Sequence, residues 1–196
     1  ETLTATDLSA IGGKTDGVVT VSNAVTISGT ADQVTDALVT DDSKVVAATA
    51  KVTISDESTE TLTATELSAI SEKTDGVVTV SNAVTITGDV SEATAALVTD
   101  GSSVAAANAK VIISDSVSVA QVNAIAEKTA GIVTASVTAG SADTLDALET
   151  ESTDVLTLTV NDESTETLTA AILSSIGGKT SGDVTVSNAL TISGTV

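Results

Sequence analysis

Hydrophobic and polar residues alternate in short runs that recur along the chain. In residues 18–28 the apolar side chains fall at every second position, which places them on one side of an extended backbone: Val19, Val21, Val25 and Ile27. The positions between them carry Thr and Ser. A period of two predicts two short strands with one buried face. Between them lies a corner at Ser22-Asn23. Asn82 and Asn188 occupy the same corner elsewhere, where we expect stacked side-chain amides or a turn.

A second pattern predicts short helices. Ser, Thr or Asp is followed three residues later by Glu or Gln, the spacing of a capping box, at Thr30…Gln33, Thr63…Glu66, Asp89…Glu92 and Ser118…Gln121. Thr4…Asp7 is a near match. An apolar pair three or four residues apart follows each start, so that both members share one helix face: Leu8/Ile11, Val34/Leu38, Leu67/Ile70, Val122/Ile125, Leu145/Leu148 and Leu173/Ile176. Gly-Gly-Lys at 12–14 and 177–179 predicts helix ends with a left-handed glycine cap.

These patterns belong to a repeat, here named the A unit. It reads ETLTATDLSAIGGKTDGVVTV at 1–21 and returns as ETLTATELSAISEKTDGVVTV at 60–80 and ETLTAAILSSIGGKTSGDVTV at 166–186. A divergent copy, DSVSVAQVNAIAEKTAGIVTA, covers 115–135. The last copy stops in mid-pattern, so we expect the chain to be a fragment of a longer protein.

A second repeat, the B unit, alternates with the first. ADQVTDALVTDDSKVVAATAKVTISD at 31–56 matches VSEATAALVTDGSSVAAANAKVIISD at 90–115, and a shortened form spans 142–162. The chain is therefore divided into seven alternating units, at 1–30, 31–59, 60–89, 90–114, 115–138, 139–164 and 165–196.

The period of these units predicts a fold class. Helix starts recur every 23–33 residues, each with one short helix and two short strands. A single unit of this size cannot bury its own apolar face, whereas stacked units bury a continuous column. The sequence therefore predicts one mainly β repeat solenoid (a β-solenoid) of about seven coils, with two short strands and one short α-helix per coil.

Composition narrows the possible partners and chemistry. Hydrophobic residues make up 41% of the 196 residues, yet the chain contains no Phe, Trp, Tyr, Met or Cys, so the core must be aliphatic. The net charge of −20 disfavours nucleic acid and anionic membranes as partners. No apolar run approaches the ~20 residues needed to insert in a bilayer. Without Cys or His there is no thiol chemistry and no soft metal site.

Two stretches carry a resemblance to a protein class. KTDGVVTVSNAVTISGTADQV (14–34) and SVSVAQVNAIAEKTAGIVTASV (116–137) resemble the repeat regions of very large bacterial extracellular surface or fibre proteins, particularly those of marine cyanobacteria and their phages. The resemblance covers nearly the whole chain. It implies an extracellular or cell-surface protein with an adhesive, S-layer-like or spacer role, and it implies no catalytic residues.

Catalytic motifs are weakly represented. Gly13-Lys14-Thr15 contains the end of a phosphate-binding loop, but that loop also needs a glycine where Leu8 stands. The lysine recurs as Lys73, Lys128 and Lys179, which a helix end explains better. No copy of the repeat is marked as unique, and an enzyme needs a unique site. We expect no enzymatic activity and no obligatory cofactor.

Ranks of hydroxyl side chains are one candidate binding feature. Thr and Ser alternate with the apolar positions of the predicted strands, at Thr20, Ser22, Thr26, Ser28, Thr79, Ser81, Thr85, Thr87, Thr185, Ser187, Thr191 and Ser193. Stacked units would align them on a flat face, similar to the ice-binding face of antifreeze proteins. Thr is also simply a favourable exposed strand residue. Ile112 would interrupt the rank.

Clusters of acidic residues are the other candidate. Asp41, Asp42, Asp56, Glu57, Asp162 and Glu163 lie where loops are expected. Carboxylate oxygens in exposed loops suit weak calcium sites, although neither an EF-hand nor a nonapeptide calcium motif is present. A solvated turn is the alternative interpretation.

Two hypotheses for function follow. In the first, the chain is a structural segment of a cell-surface, S-layer-like or fibre protein, a shaft or coat whose partners are further repeats or other copies of itself. In the second, it is an adhesin-type module in which one face binds a glycan, a cell surface or ice. The divergent A unit at 115–138 and the shortened B unit at 142–162 could form a local bend or a contact site.

Overall fold

A computed structural model describes residues 1–194, and it is an α/β fold. In this part of the chain there are seven helices, which are Ala5–Gly12 (α1), Ala31–Leu38 (α2), Ala64–Ser71 (α3), Val90–Leu97 (α4), Val119–Ala126 (α5), Ala142–Asp146 (α6) and Ala170–Gly177 (α7). The strands are Thr2–Thr4 (β1), Val19–Thr20 (β2), Thr26–Gly29 (β3), Val45–Val46 (β4), Lys51–Ile54 (β5), Thr61–Thr63 (β6), Val78–Val80 (β7), Thr85–Gly88 (β8), Val104–Ala105 (β9), Lys110–Val117 (β10), Val133–Val137 (β11), Val155–Val160 (β12), Thr167–Thr169 (β13), Val184–Val186 (β14) and Thr191–Ser193 (β15).

The strands pair in parallel. A five-stranded sheet has the order β1-β3-β5-β7-β9, and a six-stranded sheet has the order β14-β12-β11-β10-β8-β6. Two smaller sheets, β2-β4 and β13-β15, complete the described part. Parallel strands need a crossover connection. Here it contains a helix and a strand of another sheet: α1 and β2 lie between β1 and β3, and α3 and β7 lie between β6 and β8.

The prediction of a mainly β solenoid of about seven coils, each with two short strands and one short helix, is wrong. Helices take up about as many residues as strands, and strand length ranges from two residues in β2 to eight in β10. The parallel sheets of five and six strands, together with the helices, define a mixed α/β architecture.

The physical reason lies in how identical segments pair. Thr-Leu-Thr recurs as β1, β6 and β13, yet these three strands belong to three different sheets. In each of these A units the first and third strands share one sheet, whereas the second strand belongs to another. Pairing partners, and not the local sequence, decide the sheet to which a strand belongs, so the sheets could not be predicted from the repeat.

The core is one aliphatic cluster between helices and sheets. Its largest fully buried side chains include Ile27, Ile54, Leu67, Ile86 and Leu156. The helices pack side by side in chain order from α1 to α5, and α6 packs against α7. Small aliphatic residues fill this narrow interior without aromatic side chains, as the composition requires.

The helix starts follow the sequence patterns closely. The capping boxes at Thr30…Gln33, Asp89…Glu92 and Ser118…Gln121 are confirmed, with the side chain and the backbone N–H bonded in both directions. Thr63 accepts from the backbone N–H of Glu66, as predicted. The predicted left-handed glycine caps are wrong: Gly13 and Gly178 have φ of −69° and −73°. Both helices end in right-handed turns.

Candidate functional site

The motif Lys-Thr-x-Gly is the point at which three of the four A units are bonded to the B unit before them. The side chains of Thr74, Thr129 and Thr180 are largely buried, and each donates a hydrogen bond to a backbone carbonyl of the preceding repeat. Thr180 Oγ1 lies 3.0 Å from Leu156 O and also accepts from the N–H of Leu156 at 2.8 Å. The Thr180 hydroxyl therefore bonds to both the N–H and the C=O of Leu156, as the backbone of a neighbouring strand would.

The glycine of this motif is required by the same contact. A Cβ on Gly76 would lie 2.0 Å from Ala50 O, and one on Gly131 would lie 2.1 Å from Ala109 O. At Gly182 the corresponding distance to Leu156 O is 2.3 Å. Two backbones can approach this closely only without a side chain. The sequence interpretation placed the weight of this motif on the lysine; the recurrence of Thr-x-Gly in all four A units was the signal for the contact.

The lysine of the motif has its own structural role in one copy. Lys179 Nζ donates to the carbonyl of Leu148 in the shortened B unit, at 2.8 Å. This carbonyl lies just beyond α6, where a cation is electrostatically favourable. The contact gives Lys179 a structural function between repeats.

Two of the calcium candidates, Asp56 and Asp162, cap the helix at the start of their own B unit. Asp56 Oδ2 accepts from the N–H of Ala31, the first residue of α2, at 2.7 Å, and Asp162 Oδ2 accepts from Ala142 at the start of α6 at 2.8 Å. Asp115, which the sequence analysis did not select, does the same for Val90 in α4, at 2.7 Å. An aspartate at the start of a helix complements its unpaired N–H groups and its dipole.

The corner asparagines connect these B units to the A units that follow. Asn82 Nδ2 donates to the carbonyl of Asp56 at 2.6 Å, and Asn188 Nδ2 donates to the carbonyl of Asp162 at 2.7 Å. The carboxylate of each aspartate thus accepts from the helix that precedes it in the chain. The backbone carbonyl of the same aspartate accepts from the asparagine at the corner that follows. The corner amides bond to main chain in the neighbouring repeat.

The other calcium candidates, Asp41, Asp42, Glu57 and Glu163, are exposed. Asp41 and Asp42 lie in the turn after α2, and Glu57 and Glu163 follow β5 and β12. Among residues 1–194 no group of three or more Asp, Glu, His or Cys side chains is arranged to hold a metal ion. Calcium binding by these residues therefore stays a hypothesis from sequence.

The predicted hydroxyl ranks are distributed over several sheets. Thr26, Ser28 and Thr79 lie in the five-stranded sheet, and Thr85, Thr87 and Thr185 lie in the six-stranded sheet. The remaining rank residues are in the two small sheets or between strands: Thr20, Thr191 and Ser193, and Ser22, Ser81 and Ser187. Some hydroxyls bond to a neighbouring strand, such as Ser187 Oγ to Val160 O at 3.1 Å.

The longest hydroxyl row has four members, in register across neighbouring strands: Thr4, Ser28, Thr53 and Thr79. Ala105 ends it. The adjacent row runs Thr2, Thr26 and then Lys51, and in the six-stranded sheet Thr87 is followed by Ile112. Strand spacing places hydroxyls of one row about 4.8 Å apart. The four-member row is a narrow strip of regularly spaced hydroxyl groups.

One carboxyl has a shifted pKa. Burial at the α2–α3 contact raises the pKa of Glu66 above its ordinary value of 4.5, and the negative charges of Asp32 and Asp56 raise it further. The Thr35 hydroxyl, 3.5 Å from Glu66 Oε1, and a backbone hydrogen bond at Thr63 lower the pKa, but burial and the two like charges outweigh them. The group is a local source of electrostatic repulsion between neighbouring units.

An open cleft of about 470 Å³ lies where the divergent A unit meets the shortened B unit. Its walls include the carboxylates of Glu127, Glu149 and Glu151. Asp154, also in the wall, is buried, and its two oxygens accept from the N–H groups of Val133 and Glu151 at 2.7 and 2.9 Å. Asp154 therefore fixes the backbone at this junction.

None of the helices in residues 1–194 has the length and apolar character needed to span a bilayer. Comparison with protein-family models, with curated proteins and with solved structures finds no match to this chain.

Proposed function

We propose that the chain is a structural repeat segment of an extracellular cell-surface, S-layer-like or fibre protein, in which it acts as shaft or coat. The observation that supports this proposal is the repeated fastening between units. The Thr-x-Gly contact recurs at the three junctions where a B unit precedes an A unit, and Asn82 and Asn188 add a side-chain bond at two of them. A chain fastened at these junctions resists separation of its units along its length.

The use of polar side chains also supports a structural role. The buried polar residues Thr74, Asp154 and Thr180 are bonded to backbone groups of neighbouring units. Such groups hold the architecture together and are not available as nucleophiles or general bases. The net charge of −20 favours a hydrated, repelling outer surface, as a coat or spacer requires.

Electron microscopy of the cells or particles that make the protein tests this proposal. Gold-labelled antibodies against residues 1–194 should decorate the outer surface, and mild protease treatment of intact cells should remove the label. An antibody against a cytoplasmic protein of the same cells is the control for leakage. Label confined to the interior of intact, sectioned cells contradicts the proposal.

The alternative is an adhesin-type module that binds through one face, and the row Thr4, Ser28, Thr53 and Thr79 favours it. Replacing Thr53 with Lys in the middle of the row should abolish binding to ice or to a glycan array if this face is the binding surface. Thr157→Lys, at an exposed strand position outside the row, is the matched control. Equal binding by both variants argues against this alternative.

A further inference from the structure

Three aspartates in the chain are followed directly by glycine: Asp16, Asp75 and Asp100. Asp-Gly is a pair at which a peptide chain rearranges readily, because the glycine has no Cβ to shield its nitrogen from the neighbouring carboxyl. The first two pairs belong to the Lys-Thr-x-Gly motif of an A unit, and the third lies in the turn between α4 and β9. The three pairs therefore share one chemistry but have different surroundings.

The two pairs in the motif are held by local hydrogen bonds. The N–H of Gly76 donates to Thr74 Oγ1 at 3.0 Å, and the N–H of Gly17 donates to Thr15 Oγ1 at 3.0 Å. An amide that donates to a hydroxyl keeps its proton and is oriented towards that acceptor. Gly76 is also fixed by packing, since its backbone lies against the carbonyl of Ala50.

The pair at Asp100 lies instead in an open turn. The N–H of Ser102 donates to Thr99 O at 2.9 Å, which places Asp100 and Gly101 at the centre of the turn. Gly101 has a φ of +102°, and no other residue in 1–194 has a left-handed φ, so the turn is of type II. Within the same residues the N–H of Gly101 donates no hydrogen bond, and a Cβ there would meet nothing within 4 Å. The exposed peptide between Asp100 and Gly101 can therefore rotate.

We infer that Asp100 is a site of covalent modification, at which the chain rearranges to isoaspartate. The nitrogen of Gly101 bonds to Cγ of the protonated Asp100 carboxyl, and the amide proton and the carboxyl hydroxyl leave as water. The product is a succinimide ring. Water then adds to one of the two ring carbonyls, and addition at the former backbone carbonyl leaves the chain linked through the side chain of Asp100. The net reaction neither gains nor loses atoms and requires no oxidant.

The rearrangement alters the turn at the end of α4. The Cβ of Asp100 enters the main chain, while the number of carboxylates stays the same. The hydroxyl of Ser102 donates to the carbonyl of Ala96 in α4, and the N–H of Ser102 donates to Thr99 O. A longer main chain before Ser102 moves it away from these acceptors, so the end of α4 should open more often. This chemistry is independent of where the chain is located and of what it binds.

Peptide mapping of the whole chain tests the inference. One sample is kept folded for weeks below its melting temperature, and a second is kept for the same time in urea. Cleavage after glutamate separates the three pairs onto peptides 2–57, 73–92 and 93–127, and electron-transfer fragmentation distinguishes isoaspartate from aspartate. In the folded chain isoaspartate should form at Asp100 about tenfold or more faster than at Asp75, because the Gly76 N–H must first lose its hydrogen bond and its packing. In urea the two rates should be similar.

The first B unit supplies a matched control within the same molecule. The N–H of Ser43 donates to Thr40 O at 2.9 Å, so the chain turns at the equivalent place, but Asp42 stands where the other turn has glycine. The side chain of Asp42 shields its nitrogen, so Asp41 should form almost no isoaspartate in the folded chain.

The variant Asp100→Glu keeps the charge, but its side chain would have to close a larger ring, which forms far more slowly. Hydrogen exchange at the end of α4 should therefore become faster in the aged wild type and stay unchanged in the aged variant. Equal rates at Asp100 and Asp75 in the folded chain overturn the inference. Absence of isoaspartate at Asp100 after the urea sample has reacted also overturns it.

Discussion

The glycine of Lys-Thr-x-Gly is where one repeat comes closest to the next. Gly76→Ala would place a methyl group 2.0 Å from the carbonyl oxygen of Ala50, so the backbones must separate. We expect a loss of about 3 kcal/mol in the free energy of unfolding, since overpacking of a rigid contact costs about 1–3 kcal/mol or more. Denaturant unfolding followed by circular dichroism measures this loss.

The first A unit supplies the matched control for that substitution. Gly17 occupies the same motif position, but a Cβ there meets only Thr15 Oγ1, at 3.5 Å. Gly17→Ala should change stability by less than about 0.5 kcal/mol. Equal losses for Gly76→Ala and Gly17→Ala would show that the contact between repeats is not the cause.

The acidic candidates separate into capping and solvated residues, and stability distinguishes them. Asp56→Ala removes the acceptor of the Ala31 N–H at the start of α2 and should cost about 1 kcal/mol, as the loss of a helix cap does. Asp41→Ala changes an exposed turn and should have almost no effect. Both are measured by thermal unfolding with and without millimolar calcium. A loss in Asp56→Ala that appears only with calcium would favour a metal site over the cap.

At the scale of elements, the contact between α2 and α3 carries a pH dependence. The pKa of Glu66 is raised by burial and by the charges of Asp32 and Asp56, so the folded chain holds this proton more tightly than the unfolded chain. Its protonation stabilises the fold fully below about 4.5, and this contribution is lost as the pH rises through the folded pKa.

The variant Glu66→Gln isolates this effect. It should melt at a higher temperature than the wild type at pH 7, and the difference should disappear as the pH falls toward 4.5. Glu72→Gln, an exposed change next to the same helix, removes equal charge and is the control. A difference between Glu66→Gln and the wild type that does not vary with pH would rule out titration of this carboxyl as its source.

The elements that the sequence predicted well are those specified by local chemistry. The caps at Thr30, Asp89 and Ser118 need only residues three positions apart, so their capping boxes could be predicted and are confirmed. The predicted left-handed glycine caps of α1 and α7 were wrong because glycine permits a left-handed conformation without requiring one. The fold class was wrong because strand pairing is long-range: β1, β6 and β13 share one sequence and lie in three sheets.

The candidate site was only partly predictable for the same reason. Spacing alone identified Asp56 and Asp162 as acidic loop residues, but their partners Ala31 and Ala142 lie 25 and 20 residues earlier. The alternation of Thr and Ser with apolar residues predicted the hydroxyl ranks. The residue beside each rank residue, however, depends on which strands pair and in which register. Lys51 next to Thr26 shows how one register position interrupts a rank.

At the scale of the whole molecule, stability should depend on ionic strength more than on any one ion. A net charge of −20 on 196 residues produces self-repulsion that favours the unfolded chain. The Debye length falls from about 30 Å at 0.01 M salt to about 4 Å at 0.5 M, so added NaCl screens most of that repulsion. We expect the melting temperature at pH 7 to rise by several degrees, since about 1 kcal/mol corresponds to roughly 2–4 °C in a chain of this size.

The sequence itself provides the control for this salt effect. Near its isoelectric point of about 4.1 the chain carries almost no net charge, so the same addition of NaCl should change the melting temperature far less. At pH 7, CaCl2 and MgCl2 at equal ionic strength should stabilise the chain equally if screening is the cause, because screening does not distinguish two divalent cations. An excess effect of CaCl2 that saturates at millimolar concentration would instead indicate specific binding, and its loss in a variant lacking Asp41 and Asp42 would place the site in the turn after α2.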